Sequence, residues 1–295
     1  MTGPELTEAP IAAIPQSPAE ISLNQAAIIG NNYIWNGEDK TRVLLFFCGA
    51  VKRSQLHLAP VFHRWKWASM FRHPVIICSD PSVSLESGLT LGWYVGRQEG
   101  PTFDDQMAEV VDLAQQLAPG GRIGAFGSSG GGFAALMALV RGHAESALAI
   151  NPQTNILNYQ RVFVKRLLSY YGKGEEELDS SDMTRFSIAA AIPKFSETSF
   201  FRGRILVNSF DTPHWEDHVD PLQRFCDQRN IRGLEFLSYD SASAVHTPPP
   251  ISQSLWLIND FWPDSLQGHV MLKLKPIRSL RRRLLDPSSQ PPLDS

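Results

Sequence analysis

The stretch RIGAFGSSGGGFAALMALV, residues 122–140, decides the fold class of this chain. It opens with a short apolar run, turns through six small residues and continues at once as an apolar helical pattern. A buried strand that passes through a tight turn into a buried helix is typical of parallel sheets covered by helices. The stretch therefore predicts an α/β fold, with the glycine-rich turn at the carboxyl end of a strand.

The turn, Gly127-Ser128-Ser129-Gly130-Gly131, fits the pattern G-x-S-x-G. At a sharp strand-to-helix turn, this spacing forces the central serine into a strained backbone conformation and projects its hydroxyl above the sheet edge. Centring the pattern on Ser128 would put the bulky Phe126 in a position that needs a small residue. Ser129 is therefore the predicted nucleophile.

The run GSSGGGFAAL, residues 127–136, resembles the nucleophile elbow of α/β hydrolases, especially peptidase-like and carbohydrate-esterase-like members. The resemblance extends over residues 40–262, where the order of the predicted strands and helices is similar to that of the family. It implies an α/β-hydrolase fold, with a mostly parallel central sheet flanked by helices and an inserted helical cap. It also implies a serine hydrolase that cleaves an ester, thioester or amide through an acyl-enzyme.

Two other interpretations of the turn are a phosphate-binding loop and a purely structural turn. The turn lacks the Lys-Ser/Thr of a Walker loop, and the next strand-like run ends at Asn151 instead of the acidic residue of a dinucleotide site. The strand, turn and helix context favours the catalytic interpretation.

A serine nucleophile needs a base, and the base needs a carboxylate that orients it. In the family resembled, the chain order is Ser, Asp or Glu, then His. Asp211 follows the strand-like RILVN and is the predicted acid, whereas His246 follows LEFLSYD and is the predicted base. The rival carboxylates are Glu216, Asp217 and Asp220.

The predicted oxyanion hole combines two backbone N–H groups. One belongs to Gly130, and the other comes from the loop after VLLFFC. The family usually has His-Gly here, where this chain has Cys48-Gly49. Ala50 is the predicted second donor and Val51 the alternative.

His214 and His218 lie four residues apart in HWEDH, a spacing that can hold a metal on a helix face. The segment departs from H-E-x-x-H at Trp215 and from H-x-x-E-H at Asp217. No third ligand is marked out, so we expect a polar helix start, no metal and no cofactor.

Further apolar runs predict strands, and the segment 26–35 predicts an antiparallel hairpin before them. Thr102 is expected to cap a helix over 103–117. We expect a flexible leader at 1–22, a hydrolase domain at 23–275 with a cap at about 156–200, and a disordered basic, Pro-rich tail at 276–295. On this interpretation, truncation after about Pro276 leaves the fold intact.

The composition of the chain limits the kinds of partner that we expect. The 295 residues are 43% apolar, enough for one large core, and a net charge of −3 argues against nucleic acid as a partner. No transmembrane segment is predicted, and three scattered cysteines indicate buried thiols in a reducing, cytoplasmic protein.

The expected partner is a small-molecule or carbohydrate-linked acyl substrate, with a preference for a carbohydrate or small acyl ester. An acyltransferase and a non-catalytic binding protein on the same scaffold are the alternatives. For the tail, which contains Arg278, Arg281 and Arg282, a weak contact with an anionic membrane surface is the alternative to a solvated segment.

Overall fold

The computed structural model describes residues 25–195, 202–241 and 246–282. The predicted leader, the last part of the predicted cap and the tail residues 283–295 lie outside the described residues. Within the described ranges, no helix is both long and apolar enough to cross a membrane.

A single sheet forms the centre of the molecule. Its strands among the described residues are β1 (Ala26–Ile29), β2 (Asn32–Trp35), β3 (Arg42–Phe47), β4 (Val75–Cys78), β5 (Arg122–Ser128), β6 (Ser146–Ile150), β7 (Arg202–Asn208), β8 (Leu234–Tyr239) and β9 (Arg281–Arg282). Their spatial order is β1-β2-β4-β3-β5-β6-β7-β8-β9. Strands β3 to β8 run parallel, and the pairs at both edges are antiparallel. The predicted fold class and the leading hairpin are confirmed.

The helices cover both faces of the sheet. Within the described residues they are α1 (Phe103–Leu117), α2 (Gly130–Val140), α3 (Arg161–Tyr171), α4 (Ser180–Phe186), α5 (Ile188–Phe195), α6 (Asp220–Gln228), α7 (Ile251–Phe261) and α8 (Gly268–Met271). A short helix, Thr212–His214, and a π-helical turn, Trp215–Val219, lead directly into α6. Every residue of α2 is buried, which explains why its sequence is apolar on all sides.

Helix α1 begins as its sequence predicts. The Thr102 hydroxyl accepts a hydrogen bond from the Asp105 N–H, and the Asp105 carboxylate accepts one from the Thr102 N–H. This capping box satisfies two N–H groups that the first helical turn leaves without partners. The helix then packs an apolar stripe, including Met107 and Val110, against one face of the sheet.

The predicted cap region packs into the main core. Val164 and Leu167 of α3 and Ile188 of α5 belong to the same apolar cluster as α1 and α2. Helix α3 ends at Gly172, whose φ of 101° suits glycine. Val162 of this helix is exposed.

The first residues of the predicted tail lie against the sheet. Ile277 is buried in the apolar cluster on the second face, and Arg281–Arg282 form β9 beside β8. The Ser279 hydroxyl accepts a hydrogen bond from the Asp240 N–H. Residues 277–282 therefore extend the packed domain beyond the predicted boundary at 275.

Candidate active site

Ser129 occupies the turn between β5 and α2. Its φ of 54° and ψ of −126° lie outside the regions that non-glycine residues ordinarily adopt. The flanking glycines make the turn sterically feasible, because a Cβ at Gly127 would lie 2.0 Å from the Gly131 carbonyl oxygen. A Cβ at Gly131 would lie 2.3 Å from the Phe47 carbonyl oxygen. The sequence thus places a strained serine at the carboxyl end of the central strand.

The structure brings Ser129, His246 and Asp211 together. Ser129 Oγ lies 3.3 Å from His246 Nε2, and His246 Nδ1 lies 2.9 Å from Asp211 Oδ2. Asp211 is buried, while His246 is partly exposed. Of the rival carboxylates, Asp220 is paired with Arg224 at 2.8 Å. The three side chains form a hydrogen-bonded series in which a proton can pass from hydroxyl to imidazole.

Two buried asparagines hold the loops that carry Asp211 and His246. Asn151, at the end of β6, donates to the His246 carbonyl oxygen and accepts from the Asn208 N–H. Asn208, at the end of β7, bonds Ser241 in both directions, and its carbonyl accepts the Asp211 N–H. These amides tie the ends of β6 and β7 to the two loops.

Gln153 is a further polar group at the serine. Its Nε2 donates to Ser129 Oγ at 3.0 Å, and its Oε1 accepts a hydrogen bond from Trp93 Nε1 at 3.1 Å. Gln153 is fully buried, and Trp93 has a φ of 51°. Gln153 could not be predicted from the sequence, because it belongs to no motif and lies simply two residues beyond Asn151.

His214 and His218 lie on the helical turns that lead into α6, as expected, but their side chains are not on the polar, exposed face of this segment. Both are buried, and the His214 ring lies 4.7 Å from that of His218 and 4.8 Å from that of His246, centre to centre. His214 Nε2 donates to the Pro152 carbonyl oxygen at 2.7 Å. His218 lies within the π-helical turn, and His214 immediately precedes it.

Burial keeps both imidazoles neutral. It lowers the pKa of His214 to about 4, with the neighbouring His246 contributing, and the pKa of His218 to about 3. His218 Nδ1 has no hydrogen-bond partner among the described residues. A neutral, buried imidazole therefore lies against the His246 ring.

Asp211, His214 and His246 are the described residues whose arrangement could hold a metal ion, since their ligand atoms lie within 4.8 Å of one another. Two of these three side chains are already bonded to each other. A metal ion would therefore compete with the Asp211–His246 hydrogen bond.

The two predicted oxyanion donors, Gly130 and Ala50, lie on segments that approach each other at the elbow. A Cβ at Gly49 would lie 3.9 Å from the Gly130 nitrogen. Val51, the alternative donor, has its N–H bonded to the Thr90 carbonyl oxygen at 2.8 Å. Ala50 is exposed, and its N–H bonds no described residue. Ala50 therefore has the available N–H on this loop.

A cavity of about 650 Å³ lies elsewhere, between α1 and the turn of the β1–β2 hairpin. Phe103, Val110 and Tyr170 are among the residues that line it, and none of Ser129, Asp211 and His246 does. It is separate from the hydrogen-bonded series at the elbow.

Solved structures provide the comparison. A histidine mutant of the capsule O-acetyltransferase of Neisseria meningitidis serogroup A, in complex with CoA, matches with a TM-score of 0.55 at 13% identity, over 75% of this chain and 88% of that one. S-formylglutathione hydrolase from Agrobacterium tumefaciens matches with a TM-score of 0.52 at 15% identity, over 82% and 88%.

Prolyl oligopeptidase B from Galerina marginata matches with a TM-score of 0.51 at 17% identity, over 85% of this chain and 35% of that one. No protein-family model matches the sequence, and no curated protein does. At these identities the similarity establishes the fold, and the chain has the α/β-hydrolase fold.

Proposed function

We propose that this chain is a serine hydrolase that cleaves an ester, thioester or amide through an acyl-enzyme. The observation that carries the proposal is the hydrogen-bonded series from Ser129 through His246 to Asp211, which begins at a serine in the strained elbow conformation. A structural glycine turn has no need of an imidazole and a buried carboxylate aligned on its serine.

In this mechanism Ser129 Oγ attacks the substrate carbonyl while His246 Nε2 takes the hydroxyl proton. Asp211 accepts the His246 Nδ1–H, fixing the tautomer and stabilising the imidazolium. The N–H groups of Gly130 and Ala50 stabilise the tetrahedral oxyanion. His246 then returns the proton to the leaving group, and a water activated by the same imidazole releases the acyl group from Ser129.

The substrate that we favour is a carbohydrate or small acyl ester. The second candidate function is acyl transfer, in which a hydroxyl replaces water in the last step. The similarity to a capsule O-acetyltransferase supports this candidate, since that protein shares the fold over most of its length. Both activities use the same acyl-enzyme, so they differ only in the group that accepts the acyl.

A fluorophosphonate probe tests the nucleophile. We expect one label on the native protein, located at Ser129 by peptide mass spectrometry, and no label on Ser129→Ala. Ser181→Ala, which removes an exposed serine of α4, is the matched control and should be labelled like the native protein. Labelling of Ser129→Ala at the native rate, with both variants folded, would refute the proposal.

The acyl acceptor is tested with 4-nitrophenyl acetate in the presence of methyl glucoside. A hydrolase releases 4-nitrophenol and acetate in equal amounts, as measured by absorbance and by chromatography. A transferase instead forms acetylated glucoside at the expense of acetate. Absence of both products, together with absence of labelling, would favour a non-catalytic binding protein.

A further inference from the structure

Arg64 lies in the connection between β3 and β4, beside the elbow. Its Nη2 donates to Ser128 Oγ at 2.7 Å, next to the proposed nucleophile. The preceding residue, His63, donates its N–H to Cys48 Sγ at 3.2 Å, and Cys48 is two residues before Ala50. The guanidinium is thus placed beside the two segments that supply the proposed oxyanion donors.

The surroundings of Arg64 hold the guanidinium in one place. It lies 5.3 Å from the centre of the Trp67 ring and 5.6 Å from that of Phe126. Its backbone is left-handed, with φ 62° and ψ 15°, a conformation that is uncommon for a non-glycine residue. This backbone conformation and the two aromatic contacts hold the Arg64 guanidinium in place before any ligand binds.

The charge of Arg64 has no counter-ion among the described residues. The surrounding side chains desolvate the guanidinium and lower its pKa, and no described carboxylate forms an ion pair with it. Part of the residue nevertheless remains accessible to solvent. A guanidinium stays protonated and has five N–H donors, of which Ser128 uses one. A desolvated cation without a counter-ion is costly, and a bound anion would offset that cost.

We propose that Arg64 forms an anion subsite, which selects ester substrates that carry a carboxylate near the scissile carbonyl. A carboxylate matches the planar fork of N–H donors that the guanidinium presents. This inference rests on the proposed function, because it assigns a substrate class to the same site. It makes Arg64 a specificity residue, which acts on the substrate outside the reacting atoms.

Two esters of equal shape test the subsite. Mono-4-nitrophenyl succinate carries a carboxylate where 4-nitrophenyl 4-methylpentanoate carries an isopropyl group. We expect Arg64→Gln to lower kcat/KM about 10- to 100-fold for the succinate ester and less than about threefold for the neutral ester. Arg64→Lys should retain part of the preference. Arg53→Gln, which removes an exposed cation from the same connection, should alter neither rate.

The other outcomes count against the subsite. An equal loss on both esters would show that Arg64 supports the oxyanion or the local fold, and no loss on either would show that the carboxylate does not bind there. Circular dichroism and Tm of Arg64→Gln, measured beside those of Arg64→Lys, reveal a folding defect.

A binding measurement separates this inference from the proposed function. N-(4-nitrophenyl)succinamate keeps the carboxylate but replaces the ester with an amide, and calorimetry on proteins that carry Ser129→Ala reports its binding without turnover. We expect it to bind Ser129→Ala at least tenfold more tightly than the double variant Ser129→Ala/Arg64→Gln. If neither ester is hydrolysed, this difference would still support the subsite while the proposed function fails. Equal binding to both proteins would overturn the subsite.

Discussion

At the scale of single residues, Gln153 lies within hydrogen-bond reach of the Ser129 hydroxyl. Gln153 Nε2 donates to Ser129 Oγ at 3.0 Å, and the serine's own proton has two acceptors in reach, His246 Nε2 at 3.3 Å and Gln153 Oε1 at 3.4 Å. Trp93 Nε1 donates to Gln153 Oε1, which favours the arrangement in which the amide nitrogen is the donor to the serine. Gln153 is therefore a positioning residue for the proposed nucleophile.

Replacing Gln153 should separate positioning from substrate binding. We expect Gln153→Leu to lower kcat about 10-fold while KM changes little, because the hydroxyl can then rotate away from His246. Trp93→Phe keeps the amide but loses its orienting donor, so a smaller loss of kcat is expected. Steady-state kinetics on 4-nitrophenyl acetate check this, and a fall in Tm without a change in kcat would show a purely structural role.

The pair His214 and His218 makes stability depend on pH. An unfolded histidine has a pKa near 6.5, whereas burial lowers the pKa of His218 to about 3. Between these values the unfolded chain binds the proton and the folded chain does not, so stability falls as the pH drops below about 6.5. For His218 alone this amounts to about 3 kcal/mol at pH 4 relative to pH 7.

His218→Phe should therefore flatten the pH dependence. We expect the variant to lose less stability than the native protein between pH 7 and pH 4, as measured by urea unfolding at a series of pH values. An exposed histidine provides the control, and His57→Phe should leave the slope unchanged. Parallel curves for His218→Phe and the native protein would contradict the expected burial effect.

The residues of the proposed triad could be predicted from the sequence, whereas most of the residues around them could not. Ser129, Asp211 and His246 are identifiable because the elbow motif and the order of strand ends constrain them. Asn151 and Gln153 carry no such signal, since an amide near a strand end is common and only the folded structure shows what it contacts. For the same reason the sequence did not reveal that His214 lies against His246.

At the scale of elements, the close packing of β5 against α2 depends on the absence of a side chain at Gly127. A Cβ at Gly127 would meet backbone of the next element, which cannot move aside as a flexible side chain could. The strand and the helix can therefore approach closely enough to hold Ser129 in its strained conformation.

Gly127→Ala should destabilise the protein by about 3 kcal/mol or more, or prevent folding, because the added methyl overlaps the Gly131 carbonyl. Gly268→Ala is the control, since a Cβ there meets nothing within 4 Å. Thermal unfolding of both variants checks the expectation. A Gly127→Ala protein as stable as Gly268→Ala would show that the elbow tolerates a side chain.

The strands β3 to β8 were predictable because each is a short apolar run, as a strand buried on both faces must be. Strand β9 was not, since it has two arginines and no periodic pattern. The π-helical turn at Trp215–Val219 likewise has no sequence signature. Elements that have an apolar run of their own can be predicted, whereas an element that forms only because it pairs with a neighbouring strand cannot.

At the scale of the whole molecule, residues 277–282 are part of the domain. The sequence predicts that truncation after about Pro276 has no effect on the fold, but Ile277 is buried and β9 pairs with β8. We expect that truncation to cost about 2 to 4 kcal/mol, which lowers Tm by roughly 5 to 10 °C. A chain ending at Arg282 is the matched control and should keep its Tm. Equal Tm values for the two truncations would restore the predicted boundary.

Strand β9 also determines what the outer edge of the sheet presents to other molecules. Where Arg281–Arg282 pair with β8, the backbone groups of Leu237 and Ser238 are already engaged, and two charged side chains stand beside them. If β9 were absent, the strand LEFLSY would have unpaired N–H and C=O groups, and a strand of another molecule could pair with them. The two arginines thus protect this edge against pairing with another chain, and loss of residues 277–295 would leave β8 as an edge strand with which a second copy of the chain could pair.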